Sequence, residues 1–146
     1  MNTISLSVAK ERLMKLWVIG FTFVFLFFLF QTITARYVGI VNEAWGWLLP
    51  HFLPTLAIII GGYFFDVDRK NISINIIPGT AFKIAYGISI LYFFTISIVV
   101  FSYRNTDGNI LDYYQSFNII LSSIQTLISG TVVFLFSKQK ARRESP

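Results

Sequence analysis

Cysteine is absent from the chain. That excludes structural disulfides, thiolate nucleophiles, iron–sulfur ligation and cysteine-based zinc sites together, and it leaves the redox compartment unreadable. Charge is scarce as well: 13% of the 146 residues are charged, against about a quarter in a soluble domain. There is one histidine, and no Asp or Glu falls within a long apolar run, so neither a metal cluster nor an intramembrane acid–base pair is at hand. No cofactor is expected, and the reading is non-enzymatic. No internal repeat is visible, which leaves an inverted-repeat transporter unsupported.

What remains is apolar. Hydrophobic residues make up 55% of the chain and aromatic ones 18%, so its core must be shared with lipid. Four runs, at about 16–35, 44–65, 84–103 and 117–137, approach the roughly 20 residues that cover a hydrocarbon core of about 30 Å. The expected fold is an all-α integral membrane protein, a single domain (1–146) built as a four-transmembrane-helix bundle. Residues 1–15 read as an amphipathic lead-in. The first run is too long for a signal-peptide core and lacks a small-residue cleavage site, so it reads as a retained span. Its Phe-rich composition predicts a lipid-facing helix on the outside of the bundle. The 66–83 loop holds an alternating segment, Ile72 to Ile76, followed by Pro78-Gly79, which predicts a short extended stretch and a turn.

Basic residues set the orientation. If both termini lie inside, Lys10, Arg12, Lys15, Arg69, Lys70, Lys83, Lys138, Lys140, Arg142 and Arg143 fall on the inner side, and only Arg36 and Arg104 fall outside. The positive-inside rule then selects N-in, C-in, with a cytosolic loop at 66–83 and a basic cytosolic tail at 138–146. The net charge of +5 sits beside the spans rather than along one soluble face, which favours a bilayer with an anionic inner leaflet and argues against nucleic acid. Arg69, Lys70, Lys138, Lys140, Arg142 and Arg143 are the expected inner-leaflet contacts.

Two spans carry the features that point to a role. In the second, Pro50 and Pro54 each remove a backbone donor, so carbonyls near Gly46 and Pro50 lose their helical partners, and His51 and Thr55 are the nearest groups to replace them. Pro50, Pro54, Gly61 and Gly62 mark a kink or hinge, and Trp45, Trp47 and His51 read as anchors at the outer interface. Glu43 and His51 alone make neither a metal site nor an acid–base pair with a nucleophile. In the fourth span, Asn118, Ser122, Gln125 and Ser129 fall on one helical face, with Ser122, Thr126 and Gly130 in an adjoining row. This polar face either packs against another helix through interhelical hydrogen bonds or lines a narrow polar path in a homo-oligomer.

In architecture alone, four spans in a short chain resembles the small multidrug-resistance transporters. Their mechanism rests on a glutamate in the first span, and Leu16 to Ala35 has no carboxylate. No family is identified. The abundance of Ile, Phe, Asn and Tyr is consistent with an AT-rich gene of the kind carried on mobile elements. The expected function is a self-associating pore-like or membrane-perturbing effector, or a sensor subunit, of a phage-exclusion or defence type in a bacterial inner membrane. The alternative is a small transporter or a membrane anchor for a cytosolic protein partner.

Overall fold

The computed structural model describes residues 3–67, 76–103 and 109–141. The chain is mostly helical. A short strand β1, Thr3–Ser5, leads directly into α1, Leu6–Ile33. A loop follows, then α2, Val41–Leu48, one turn of 3-10 helix at Leu49–His51, and α3, Leu53–Val67. Strand β2, Ile76–Pro78, leads into α4, Gly79–Ser102, and the chain ends with α5, Ile110–Ser116, and α6, Asn118–Ala141. Helices α1 and α4 are each long and apolar enough to cross a membrane. The number of candidate spans rises to four if α2 with α3, bent by 41°, and α5 with α6, bent by 45°, each count as one.

The helix boundaries follow local chemistry. From Leu6 onward the lead-in expected at 1–15 is continuous with the first span, because Ala9, Leu13 and Trp17 carry one buried line straight through it. Lys15 pairs with Glu11 one turn earlier at 2.5 Å, further support for helix there. Pro78 ends β2 and α4 begins at once, so Lys83 lies inside that helix rather than before it. Asn109 caps α5 by accepting the Leu111 amide at 3.0 Å. The α1–α2 loop turns through two residues with positive φ, Ala35 at 63° and Gly39 at 82°. Of the alternating run from Ile72 to Ile76, only Ile76 lies among the described residues.

β1 and β2 pair antiparallel, with Ile4 opposite Ile77. The chain turns from each strand into its helix so that the first turns of α1 and α4 lie together, with Leu6 and Ala9 packed in one cluster with Phe82 and Ala85, and the two helices run in the same direction. Trp17 meets Ser89, Gly20 meets Phe93 and Phe27 meets Phe101 in step along them. The principal packing partners form a ring: α1 on α3, α3 on α6, α6 on α4, and α4 on α1.

Aromatic side chains fill the middle of that ring. Trp17, fully buried, stacks on Tyr92 at 5.7 Å and meets Phe93 edge-on at 5.0 Å, with Phe52 also in contact. Its indole N–H donates to Ser89 Oγ at 3.1 Å, and that hydroxyl donates to the Ala85 carbonyl. Helix α1 is therefore two-faced, outward over most of its surface and buried along one line. Trp17, Val24 and Phe28 enter the core, while Ile19, Phe23, Leu26 and Phe30 stay exposed.

Candidate functional site

The two bent helices meet at their bends, and the junction is built from the groups that the bends release. Pro54 has no N–H, so the carbonyl of Pro50, four residues earlier, has no donor from its own helix. The side-chain amide of Gln125 supplies one from α6 at 3.3 Å. Tyr92 Oη donates to the His51 carbonyl at 2.6 Å. His51 Nδ1 is 2.7 Å from the Trp47 carbonyl, so Nδ1 carries the proton in that contact, and Nε2 is the acceptor nitrogen of the neutral ring.

Trp47 joins the same junction from the other side. Its ring lies nearly parallel to that of Tyr114, 16° apart with centroids at 4.5 Å, and its indole N–H donates to Asn118 Oδ1 at 2.7 Å. Asn118 is the first residue of α6, so the bond ties the start of that helix to the end of α2. One turn below, Thr55 and Ser129 share a hydroxyl contact at 3.3 Å. The second and fourth expected spans are thus sewn together by Trp47–Asn118, Pro50–Gln125 and Thr55–Ser129.

Beside this junction lies a second buried polar chain. Gln31 and Tyr37 are almost fully buried, and the Tyr37 hydroxyl donates to Gln31 Oε1. The proton of Tyr37 is spent there, so Tyr114, whose oxygen lies 2.9 Å from that of Tyr37, is the donor between the two phenols. Burial first, and the neighbouring Tyr114 second, push the Tyr37 phenol well above its ordinary range. Gln31 Nε2 has no hydrogen-bond partner among the described residues. Arg36 closes this end of the molecule, donating to the Tyr103 carbonyl at 2.5 Å with its guanidinium 5.4 Å from the Tyr103 ring centroid.

The polar face of the fourth span divides in two. Asn118, Gln125 and Ser129 are half-buried and bonded to α2, α3 and the 3-10 turn. Ser122, Thr126 and Gly130 are exposed. Their hydroxyls turn back onto their own helix, Ser122 to the Asn118 carbonyl at 2.5 Å and Thr126 to the Ser122 carbonyl at 2.8 Å. A methyl group at Gly130 would touch nothing.

Several sequence expectations take a different form here. Trp47 and His51, expected as anchors at the outer interface, are buried at 6% and 9% exposure, because Tyr114 and Asn118 arrive from the far end of the chain to cover them. Trp45 is half-buried and donates to Thr32 Oγ1 at 3.2 Å. Thr55 bonds Ser129 rather than a carbonyl freed by proline. Gly61 and Gly62, marked above as part of a kink or hinge, lie inside α3, about ten residues beyond the bend at Leu49–Phe52, and the Gly62 carbonyl accepts from Lys10 Nζ at 3.4 Å. Lys10, counted above among the basic residues of the inner side, is only 3% exposed. Arg69, Lys70, Arg142 and Arg143 lie outside the described residues, as do the side chains of Lys138 and Lys140 at the end of α6.

Tyr92, Tyr37 and Gln31 were not singled out by sequence, although a glutamine inside an apolar run is a signal of a buried polar bond. Chemically, the junction is a hydrogen-bonded latch. Glu43 is exposed and makes no hydrogen bond to His51, and among the described residues no group of three or more His, Cys, Asp or Glu is gathered in one place. No protein-family model, no curated protein and no solved structure matches the chain.

Proposed function

We propose that the chain is an integral membrane protein of four spans with both termini in the cytosol, residing in a bacterial inner membrane and associating with copies of itself. In this reading α2 with α3 and α5 with α6 each cross as one bent span. The protein acts without catalytic machinery, as a pore-like or membrane-perturbing effector or as a sensor subunit of phage-exclusion or defence type. The distribution of basic residues supports the orientation, since ten of the twelve fall on one side.

The observation that carries self-association is the exposed row Ser122, Thr126 and Gly130. Asn118, Gln125 and Ser129 are bonded to other elements of the chain, so this row is the part of the expected polar face left open to join one copy to another. Small residues at that spacing let helices approach closely in lipid. The exposed Ile119 and Leu127 flank the row.

The lack of native cysteine makes the test direct. Ser122→Cys and Thr126→Cys should each give a disulfide-linked dimer in oxidised membranes, while Phe23→Cys, exposed on α1, should not. Overproduction should depolarise cells, and Gly130→Leu should reduce both crosslinking and depolarisation. A chain that stays uncrosslinked at both α6 positions and leaves membrane potential unchanged would sink the proposal.

A further inference from the structure

A groove of about 550 Å³ runs along the outer side of the seam between α1 and α4. Its origin is the close approach of the two helices at Gly20, where an added Cβ would stand 2.5 Å from the Phe93 ring. That contact leaves a trough between the exposed Ile19 of α1 and the exposed Ile90 and Phe94 of α4. Along α4 the walls extend from Tyr86 to Ser97, about 16 Å at the helical rise.

The ends of the groove differ. Arg12 and Lys15 stand at the end where the helices begin, and no charged residue lines the rest. Lys15 is held by Glu11 at 2.5 Å, whereas among the described residues no hydrogen bond or ion pair engages the exposed Arg12 guanidinium. The groove is therefore amphipathic along its length, cationic at one end and uncharged and mainly apolar for the remainder. A ligand that matches it has an anion at one end and a hydrocarbon chain beyond.

We propose that this seam binds one anionic phospholipid of the bilayer, with its phosphate on Arg12 and one acyl chain along the Ile19–Ile90–Phe94 trough. A guanidinium offers a planar fork of donors to phosphate oxygens. With the N-terminus inside, the cationic end meets the leaflet in which anionic lipids are concentrated. The inference rests on the membrane reading above but not on self-association.

The test uses the full chain, purified in detergent, stripped of lipid and titrated with phosphatidylglycerol or phosphatidylcholine, with retention read by native mass spectrometry. Phosphatidylglycerol should be retained in preference, and Arg12→Gln should weaken that retention about fivefold. Lys83→Gln removes the same charge from an exposed position on α4 outside the groove, and should change retention less than twofold. Ile90→Trp fills the trough without changing charge and should also lower retention. Equal losses for Arg12→Gln and Lys83→Gln, equal retention of the two lipids, or wild-type retention by Ile90→Trp would each overturn the proposal. So would disulfide dimers of Ile90→Cys, since a second copy would then occupy the seam. Extraction of the protein by alkaline carbonate would instead overturn the membrane reading itself.

Discussion

The side-chain amide of Gln125 donates to the carbonyl of Pro50 at 3.3 Å across 75 residues of sequence. It replaces the N–H that Pro54 lacks, so a defect written into the second apolar run is repaired by the fourth. Gln125→Leu should leave that carbonyl unpaired and lower stability by about 1 kcal/mol. Pro54→Ala returns an N–H to the helix, and in that background Gln125→Leu should cost almost nothing. Thermal unfolding of the four proteins in one detergent measures the coupling. Equal losses in both backgrounds would show that Gln125 is not acting on Pro50.

Trp47 makes two separable contributions, the bond to Asn118 Oδ1 and the stack on Tyr114. Trp47→Phe keeps a ring over Tyr114 and loses the bond, for a cost of about 1 kcal/mol. Trp47→Ala also empties a buried site and should cost about 3–5 kcal/mol. Near-equal melting temperatures for the two variants would contradict this division.

How much of this was legible in sequence depends on where each partner comes from. The helical class, the apolar runs and the interruption at Pro50 and Pro54 follow from local composition. The partner for the Pro50 carbonyl does not, because it lies on another helix. Trp47 illustrates the same limit: its position near the end of an apolar run reads as a rim anchor, and only the arrival of Tyr114 and Asn118 makes it a core residue. In α1 nearly every side chain of the run is apolar, so the face bearing Trp17 and Phe28 cannot be told from the face bearing Phe23 and Phe30. Strand β1 is three residues long and owes its form to β2, far along the chain.

The Tyr37 hydroxyl serves both Gln31 and Tyr114, whereas Tyr114 donates one bond. Tyr37→Phe should therefore cost more than Tyr114→Phe, about 1–3 kcal/mol against about 0.5–1.5 kcal/mol. Because burial raises the Tyr37 pKa in the folded state, its contribution is intact below the unfolded value near 10 and declines as pH rises above that value, where the unfolded chain releases its proton first. Unfolding measured between neutral and strongly alkaline pH should show this decline, and Tyr37→Phe should reduce its slope.

Gly20 faces Phe93, and a Cβ there would stand 2.5 Å from the ring. Phe93 is packed against Trp17, Phe52 and Tyr92 on its inner side, so the ring can yield only toward the groove. Gly20→Ala should cost about 1–3 kcal/mol, and Phe93→Leu in the same chain should recover part of it. A Gly20→Ala protein with wild-type stability would mean that the ring moves freely.

Ala35 holds a φ of 63° just beyond the end of α1, a conformation suited to glycine. Ala35→Gly should raise the melting temperature through relief of about 1 kcal/mol of backbone strain. A lowered melting temperature would indicate that chain entropy outweighs that relief.

The pairing of β1 with β2 also imposes an order on synthesis. Thr3–Ser5 leaves the ribosome before its partner Ile76–Pro78, which follows some seventy residues later, about 4–15 s at ordinary translation rates. Through that interval the first two apolar runs are present while the amino-terminal strand has nothing to pair with. The side-by-side start of α1 and α4 is therefore a late event in the life of the nascent chain. A bulky fusion placed ahead of Thr3 would obstruct that closing step.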